Sequence, residues 1–179
     1  EIRIVKLNDE IAAAGEEGEV RVRAPQVCLG YWDSALDAAA FDAEGFFRTG
    51  DLGILDAEGY LTISGRLKDV IIRKGENISA KEIEDLLHGH PKVAEAAAIG
   101  LPDPASGERC CAVVVCSDPG QPLAFDEMVA FLKEQELMVQ KIPEQLELID
   151  VLPRNPTGKV LKTELRERFA TSGSRRGPG

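Results

Sequence analysis

The sequence has little of three features that would each point to a particular class of protein. Aromatic residues make up only 5% of its 179 residues, and the 21 lysines and arginines are outnumbered by 31 aspartates and glutamates, giving a net charge of −10. This balance argues against a nucleic-acid binder that relies on an overall basic field. No apolar run approaches the roughly 18 residues that a membrane-spanning helix needs, and no secretory signal peptide is visible.

Cysteine is scarce and has no spacing typical of a metal site or a redox pair. The four cysteines are Cys28, Cys110, Cys111 and Cys116, and none of them belongs to a C-x-x-C pair. Because Cys110 and Cys111 open an apolar run, we expect all four to be reduced and mostly buried thiols. Reduced thiols indicate a cytoplasmic protein, and the sequence predicts no metal site of its own.

What is present is ordinary for a globular protein. Hydrophobic residues make up 44% and charged residues 29%, which excludes a largely disordered chain or a coiled coil. A length of 179 residues allows one or two small domains. The chain begins at Glu1 rather than methionine and enters strand-like sequence at once, so we expect it to be part of a longer protein.

The pattern changes along the chain and predicts an α+β fold in two parts. Residues 1–67 are β-rich: Val20 and Val22 alternate with charged residues, and the run DAEG at 56–59 predicts a hairpin turn. Residues 68–170 mix strands with helices that we expect over Phe125–Leu137 and Leu161–Phe169. Residues 171–179 are Thr, Ser, Gly, Arg and Pro, which predicts a disordered tail.

A third helix is expected after Ser79, where Ser79 and Glu82 have the spacing of a capping box. The helix should end at His90, before Pro91. His88 and His90 therefore suit a role at a helix C-terminus better than one as ligands.

Two clusters around the junction carry groups suited to a nucleotide. In FRTGDL at 47–52, the Asp51 carboxylate follows Thr-Gly and could accept from two adjacent sugar hydroxyls, although a simple turn between strands explains it as well. In GRLKD at 65–69, Arg66 could donate to phosphate or sugar oxygens, and in KGE at 74–76, Gly75 permits a close backbone approach. A charged interdomain linker with an ordinary turn is the alternative.

A third cluster, PRNPTGK at 153–159, places Lys159 after a glycine in a loop. Lys159 could follow a phosphate or a carboxylate, or it could be a solvated surface lysine. The phosphate-loop motif of ATPases is excluded, because its first glycine and its Ser/Thr are replaced by Pro153 and Val160. From Pro153 to the end, seven basic and two acidic residues give a local charge of +5, which suits a segment that approaches polyphosphate.

Together the clusters resemble the AMP-forming acyl- and aryl-CoA synthetases, a family that includes adenylation domains and luciferases. The motifs FRTGDL, GRxKDxI, KGENI with EIE, and P-x-x-x-x-G-K follow one another in the family's order. The resemblance implies that residues 1–67 are the β-barrel end of a large N-terminal domain and that residues 68–170 are the small mobile C-terminal domain. The phosphate loop and the acyl pocket would lie upstream, so this chain alone is expected to be inactive.

The resemblance also implies a first half-reaction and its residues. A carboxylic acid attacks the α-phosphate of ATP, bound with Mg²⁺ whose ligands are expected upstream, to give an acyl adenylate and pyrophosphate. Asp51 would hold the ribose hydroxyls, and Arg66 would contact the ribose and nearby phosphate oxygens. Lys159 would be the catalytic residue, bridging the substrate carboxylate and the α-phosphate.

In the second half-reaction the thiol of CoA, the co-substrate, would displace AMP. The resemblance makes Lys68 the hinge about which the small domain rotates, and it places Lys74, Gly75 and Glu76 along the channel for the pantetheine arm. The residues over 70–84 look most like bacterial fatty-acyl or medium-chain acyl-CoA ligases. The alternatives are an adenylation domain that loads a carrier protein and a truncated, non-catalytic module.

Overall fold

The computed structural model describes residues 1–170, which fold as two compact units. The first unit is Glu1–Lys68 and the second begins at Asp69. The two units are separated by residue contacts, which do not test domain bounds. The predicted bounds of 1–67 and 68–170 therefore stay predictions. The predicted disordered tail over 171–179 lies outside the described residues.

The first unit is a four-stranded antiparallel sheet in which each strand pairs with the next along the chain. A short helix, α1 (Asp37–Ala40), precedes the third strand. The strands are β1 (Ile2–Val5), β2 (Glu17–Val22), β3 (Phe47–Leu55) and β4 (Leu61–Arg66). The buried core of this unit consists of Ile4, Val5, Val20, Phe46 and Leu52.

The hairpin predicted at 56–59 joins β3 to β4 and is confirmed. Gly59 adopts a φ of 88°, a left-handed conformation that glycine reaches without steric cost. The backbone N–H of Tyr60 donates to the Asp56 carboxylate at 2.7 Å, which closes the turn from the side-chain end. Strand β4 begins at Leu61, so Tyr60 belongs to the turn and is exposed.

The alternation in β2 is confirmed on one face and has an unexpected counterpart on the other. Val20 is buried as predicted, but Glu19 and Arg21 are each only 6% exposed. Arg21 donates to Glu19 at 2.9 Å, to Asp9 at 2.9 Å and to Asp42 at 3.3 Å. Burial of ions is costly unless they are paired, and these contacts supply the pairing.

The second unit contains a five-stranded mixed sheet with helices on both faces. Strand β8 pairs antiparallel with β7 and β5 and parallel with β9, and β6 pairs with β5. The strands are β5 (Val70–Arg73), β6 (Glu76–Ser79), β7 (Val93–Asp103), β8 (Gly107–Cys116) and β9 (Gln145–Leu148). The helices are α2 (Ala80–His88), α3 (Phe125–Glu134) and α4 (Lys162–Ala170). This architecture confirms the predicted α+β class.

Two hydrophobic cores lie on opposite faces of this sheet. Helices α2 and α3 cover one core with Ile83 and Met128, and helix α4 covers the other with Leu165. Consecutive strand residues point to opposite faces, so Cys110 lies in the first core and Cys111 in the second. Within residues 1–170, no helix has the length and apolarity to cross a membrane.

Two helix predictions need correction. Ser79 caps α2 as predicted, by accepting the Glu82 N–H at 3.3 Å, but the helix ends at His88 and not at His90. Helix α3 ends at Glu134 and not at Leu137 as predicted, because Glu136 turns to a φ of 59° and breaks the helical path.

The cysteine prediction is confirmed in part. All four thiols are free, Cys110 and Cys111 are buried and Cys116 is half-buried, but Cys28 is exposed and its predicted burial is wrong. Cys28 follows β2 in a connecting segment outside the sheet, where nothing covers it. Burial raises the pKa of Cys111 to about 12 and also raises that of Cys110, so these two thiols are poor nucleophiles.

The histidines lie at the end of α2, as predicted. His88 Nδ1 is 2.6 Å from the Glu84 carbonyl oxygen, and buried His90 packs edge-on against Phe131 with ring centres 4.7 Å apart. The described residues contain no group of three or more His, Cys, Asp or Glu side chains placed to hold a metal ion.

Candidate functional site

Asp51 is presented by an irregularity inside strand β3, and not by a turn between strands. Glu19 of β2 pairs with Leu52, while Arg21 pairs with Arg48, so residues 49–51 bulge out of the ladder. Gly50 adopts a φ of 69°, and the Asp51 N–H donates to the Thr49 hydroxyl at 3.0 Å. The simple-turn interpretation is therefore wrong, because a β-bulge aims this carboxylate away from the regular pleat.

Arg66 is the direct neighbour of Asp51 on the adjacent strand. The two residues are register partners in the β3–β4 pair, and Arg66 Nε donates to Asp51 Oδ1 at 2.8 Å. Both side chains remain partly exposed, Arg66 at 43% and Asp51 at 31%. The pair sets a carboxylate acceptor beside a guanidinium donor, a combination that suits a sugar diol next to a phosphate.

Glu19 supports this bulge and was missed by the sequence reasoning. Its buried carboxylate accepts the Gly50 N–H at 3.3 Å and the Arg21 Nε–H at 2.9 Å. In the sequence, Glu19 only has an opposite charge two residues away at Arg21. That pattern is equally typical of the solvent-exposed face of a strand. The Gly50 N–H that the Glu19 carboxylate accepts lies 31 positions away in the chain, a contact that no local pattern signals.

Lys68 is exposed and lies in a short 3₁₀ turn over Leu67–Asp69. It is the last residue of the first compact unit. Asp69 follows it and contacts two cations of α4, with Arg166 at 3.5 Å and Lys162 at 3.9 Å. The hinge role of Lys68 stays a prediction.

Lys74 and Gly75 form the two-residue turn between β5 and β6. Arg73 pairs with Glu76 across the turn, and Lys74 and Gly75 have φ values of 51° and 83°. Positive φ at both central positions is the type I′ geometry, which matches the twist of a hairpin. A Cβ placed on Gly75 would meet nothing within 4 Å, so this backbone is open to an approaching group.

Two contacts anchor that turn to the rest of the second unit. The Lys74 N–H donates to the Ser106 carbonyl at 2.8 Å. Arg73 donates to the Gln140 carbonyl at 2.6 Å and to the Glu144 carboxylate at 2.7 Å. The sequence does not distinguish Arg73 from the other charged residues of the junction. Both of its partners lie more than 60 residues away, so no local pattern shows its anchoring role.

Lys159 lies near the tip of a second, separate hairpin in the same unit. Arg154 and Val160 form an antiparallel bridge at its base, and Gly158 adopts a φ of 84°. Lys159 is exposed, and among the described residues none hydrogen-bonds or ion-pairs with its ammonium. Two other lysines of this unit differ: Lys141 binds Glu82 and Lys162 binds Glu84, both at 2.7 Å.

The structure thus brings some of the sequence-predicted residues together. Asp51 and Arg66 touch within the first unit. Lys74, Gly75 and Glu76 share one turn of the second unit, and Lys159 occupies another. The second unit therefore carries two separate turns, each with an exposed lysine beside a glycine whose backbone faces open space.

Comparison with known proteins identifies what this arrangement is similar to. Residues 82–159 match the model of the AMP-binding enzyme C-terminal domain. The medium-chain fatty-acid–CoA ligase of Escherichia coli is 42% identical over 168 residues, which are 93% of this chain and 30% of that ligase. The salicyl-AMP ligase / salicyl-S-ArCP synthetase of Mycobacterium tuberculosis is 41% identical over 90% of this chain and 28% of its own length.

Solved structures give the same result. The crystal structure of ATP-bound MatB from Rhodopseudomonas palustris superposes with a TM-score of 0.87 at 37% identity, covering 96% of this chain and 34% of that one. The chain thus spans about a third of the length of the relatives it matches.

Proposed function

We propose a function for this chain from the premise that it belongs to the AMP-forming acyl-CoA synthetase family, of which it corresponds to the C-terminal portion. We infer that it contributes to ATP-dependent formation of an acyl adenylate and then of an acyl-CoA. The observation that carries the proposal is the pair of separate turns in the second unit, because each of the two half-reactions can use one of them.

The first half-reaction joins two anions. An oxygen of the substrate carboxylate attacks the α-phosphorus of ATP, a new O–P bond forms, and the bond to the β-phosphate breaks to release pyrophosphate. The Lys159 ammonium stabilises the negative charge that gathers on the transferred phosphate. Such a contact is worth most in the transition state, and the loss of one such donor costs about 3 kcal/mol.

Asp51 and Arg66 bind the nucleotide in this proposal. The Asp51 carboxylate accepts from the ribose hydroxyls, and Arg66 donates to ribose and phosphate oxygens. Mg²⁺ enters with ATP, and the family resemblance places its protein ligands upstream of this chain.

In the second half-reaction the CoA thiolate attacks the carbonyl carbon of the acyl adenylate. A C–S bond forms, the C–O bond to the phosphate breaks, and AMP leaves. The turn at Lys74, Gly75 and Glu76 lines the route of the pantetheine arm, which the open space above Gly75 favours. Lys68 is the pivot that exchanges the two turns, so that one mobile unit serves both steps.

A fatty acid is the proposed substrate class, supported by the 42% identity to the medium-chain fatty-acid–CoA ligase of E. coli. Loading of a carrier protein is the second candidate. It is supported by the salicyl-S-ArCP synthetase at 41% identity and by enterobactin synthase component E of E. coli at 43%. Transfer from a supplied acyl adenylate to free CoA, compared with transfer to a phosphopantetheinylated carrier protein, distinguishes the two. The cytoplasmic location stays a prediction.

Replacement of Lys159 tests the core of the proposal. In the full-length protein, Lys159→Ala should slow adenylate formation by about a hundredfold or more, because the developing charge loses its cation. Thioester formation from supplied acyl adenylate should keep its rate. ATP–pyrophosphate exchange measures the first step, and single-turnover thioester formation measures the second.

Lys133→Ala is the matched control, since Lys133 is also an exposed lysine of the second unit, in the last turn of α3. It should leave both steps unchanged. Equal loss of both half-reactions in Lys159→Ala would contradict the division of labour between the two turns.

A further inference from the structure

The hairpin that bears Lys159 is held by one side chain that the proposed chemistry does not use. The Asn155 side-chain oxygen accepts three hydrogen bonds: from the Thr157 N–H at 3.1 Å, from the Thr157 hydroxyl at 2.8 Å and from the Lys159 N–H at 2.8 Å. The Asn155 backbone adds a bond from its N–H to the Lys159 carbonyl at 2.9 Å. It also accepts the Gly158 N–H at 2.9 Å. Asn155 therefore hydrogen-bonds both the N–H and the carbonyl of Lys159.

A second contact ties this tip to the sheet. Arg154 donates one Nη to the Gly158 carbonyl at 2.6 Å, and its other Nη binds the carboxylate of Glu95. Glu95 belongs to β7, a long strand whose pairing with β8 runs over most of its length. The Gly158 carbonyl is thus linked through Arg154 to strand β7.

The atoms that these bonds join indicate what the bonds do. The bonds that Asn155 and Arg154 make to Gly158 and Lys159 all join backbone atoms of these two residues, and among the described residues none reaches the Lys159 ammonium. A lysine side chain rotates about four bonds, and a mobile backbone would add to that freedom. A fixed backbone therefore narrows the region that the ammonium can reach. Catalytic groups lose about a hundredfold in rate for a misplacement of 1 Å.

We propose that Asn155 is a positioning residue for Lys159 and that Arg154, anchored on Glu95, fixes the arm on which both stand. The inference rests on the proposed role of Lys159 in adenylate formation. Asn155 acts through the lysine and touches no substrate, so its effect is confined to the half-reaction that uses the lysine.

Asn155→Ala in the full-length protein removes the acceptor and is the main test. Adenylate formation should fall by about ten- to a hundredfold in kcat, with little change in the KM for ATP. Thioester formation from supplied acyl adenylate should stay at the wild-type rate. Asn155→Ser is the matched control, since a serine hydroxyl makes the same local turn more weakly and should recover most of the lost rate.

Amide hydrogen exchange supplies a readout that does not depend on activity. The Lys159 N–H should exchange slowly in the wild type and faster in Asn155→Ala, because its acceptor is gone. Glu95→Gln removes only a partly exposed charge pair and should slow adenylation by no more than about fivefold. Equal thermal midpoints of the variants show that folding is intact.

Lys159→Ala and the double variant separate the possible failures. If Asn155 acts through the lysine, Asn155→Ala should cost almost nothing further when added to Lys159→Ala. Equal loss of both half-reactions in Asn155→Ala, or no loss in either, overturns the positioning role while leaving the function of Lys159 intact. If Lys159→Ala itself spares adenylation, the proposed function fails, and the inference fails with it.

Discussion

Asp51 and Arg66 form an ion pair with each other when no nucleotide is bound. This pair must open before either side chain can bind a nucleotide. Their ion pair is partly exposed, so water screens it, and such pairs contribute at most about 1 kcal/mol to stability. A pair that weak can open at small cost. The carboxylate can then accept from sugar hydroxyls while the guanidinium donates to phosphate oxygens.

Asp51→Asn tests this at the level of one residue. The change keeps the shape of the side chain but removes its charge, and hydrogen bonds to charged groups are worth about 1.5–3 kcal/mol. We expect kcat/KM for ATP to fall by about ten- to a hundredfold in an ATP titration of the adenylation step. Asp56→Asn is the control, because Asp56 is a carboxylate in the turn of the same hairpin. An equal fall in both variants would contradict the ribose contact.

Single residues differ in how far the sequence reveals them. Asp51 and Arg66 could be singled out, because each lies in a short motif of consecutive residues. Glu19 could not, because the Gly50 N–H that its carboxylate accepts lies 31 positions away in the chain. The exposure of Cys28 also escaped prediction, since an apolar residue type says nothing about whether a loop is covered.

At the level of elements, the turn of Lys74 and Gly75 needs a conformation that few residues tolerate. Its two positive φ values leave the hairpin dependent on Gly75. Lys74 pays a local strain that most residue types avoid, and its backbone bond to Ser106 helps to hold it there. The two-residue geometry keeps the turn short, and the backbone at Gly75 faces open space.

Gly75→Ala is the corresponding test. A Cβ at this φ costs about 1–2 kcal/mol and fills the space above the backbone, so thioester formation from supplied acyl adenylate should slow by about fivefold or more. Adenylate formation should be spared. Gly59→Ala is a close control, since Gly59 has a φ of 88° and equally open surroundings in the β3–β4 turn. Selective slowing in Gly59→Ala as well would show that strain alone explains the effect.

Local sequence patterns predicted caps and turns, but they did not predict how distant strands pair. The Ser79 cap and the glycine of the 56–59 turn act on their neighbours, so the sequence shows them directly. The parallel pairing of β9 with β8 joins residues more than 30 positions apart, and no local pattern specifies it. The early end of α3 depends on Glu136, a residue type that rarely adopts a positive φ.

At the scale of the whole molecule, each unit buries hydrophobic residues of its own. The first unit does so around Val20 and Leu52, and the second around the two faces of its sheet. The net charge is also unequal, because residues 1–66 carry six basic and thirteen acidic residues while the residues from Pro153 onward carry +5. The positive end is the part that the proposed mechanism brings to the phosphates.

The 179 residues alone provide the last test. Both units should fold, and circular dichroism should show cooperative unfolding, because each has a buried core. With ATP and a panel of carboxylic acids the chain should release no pyrophosphate, since its sequence contains no Ser/Thr/Gly-rich phosphate loop to bind the triphosphate. A protein that also carries the upstream part should be active in the same assay. Sustained release by the 179 residues that disappears in Lys159→Ala would show that the chain is catalytic by itself.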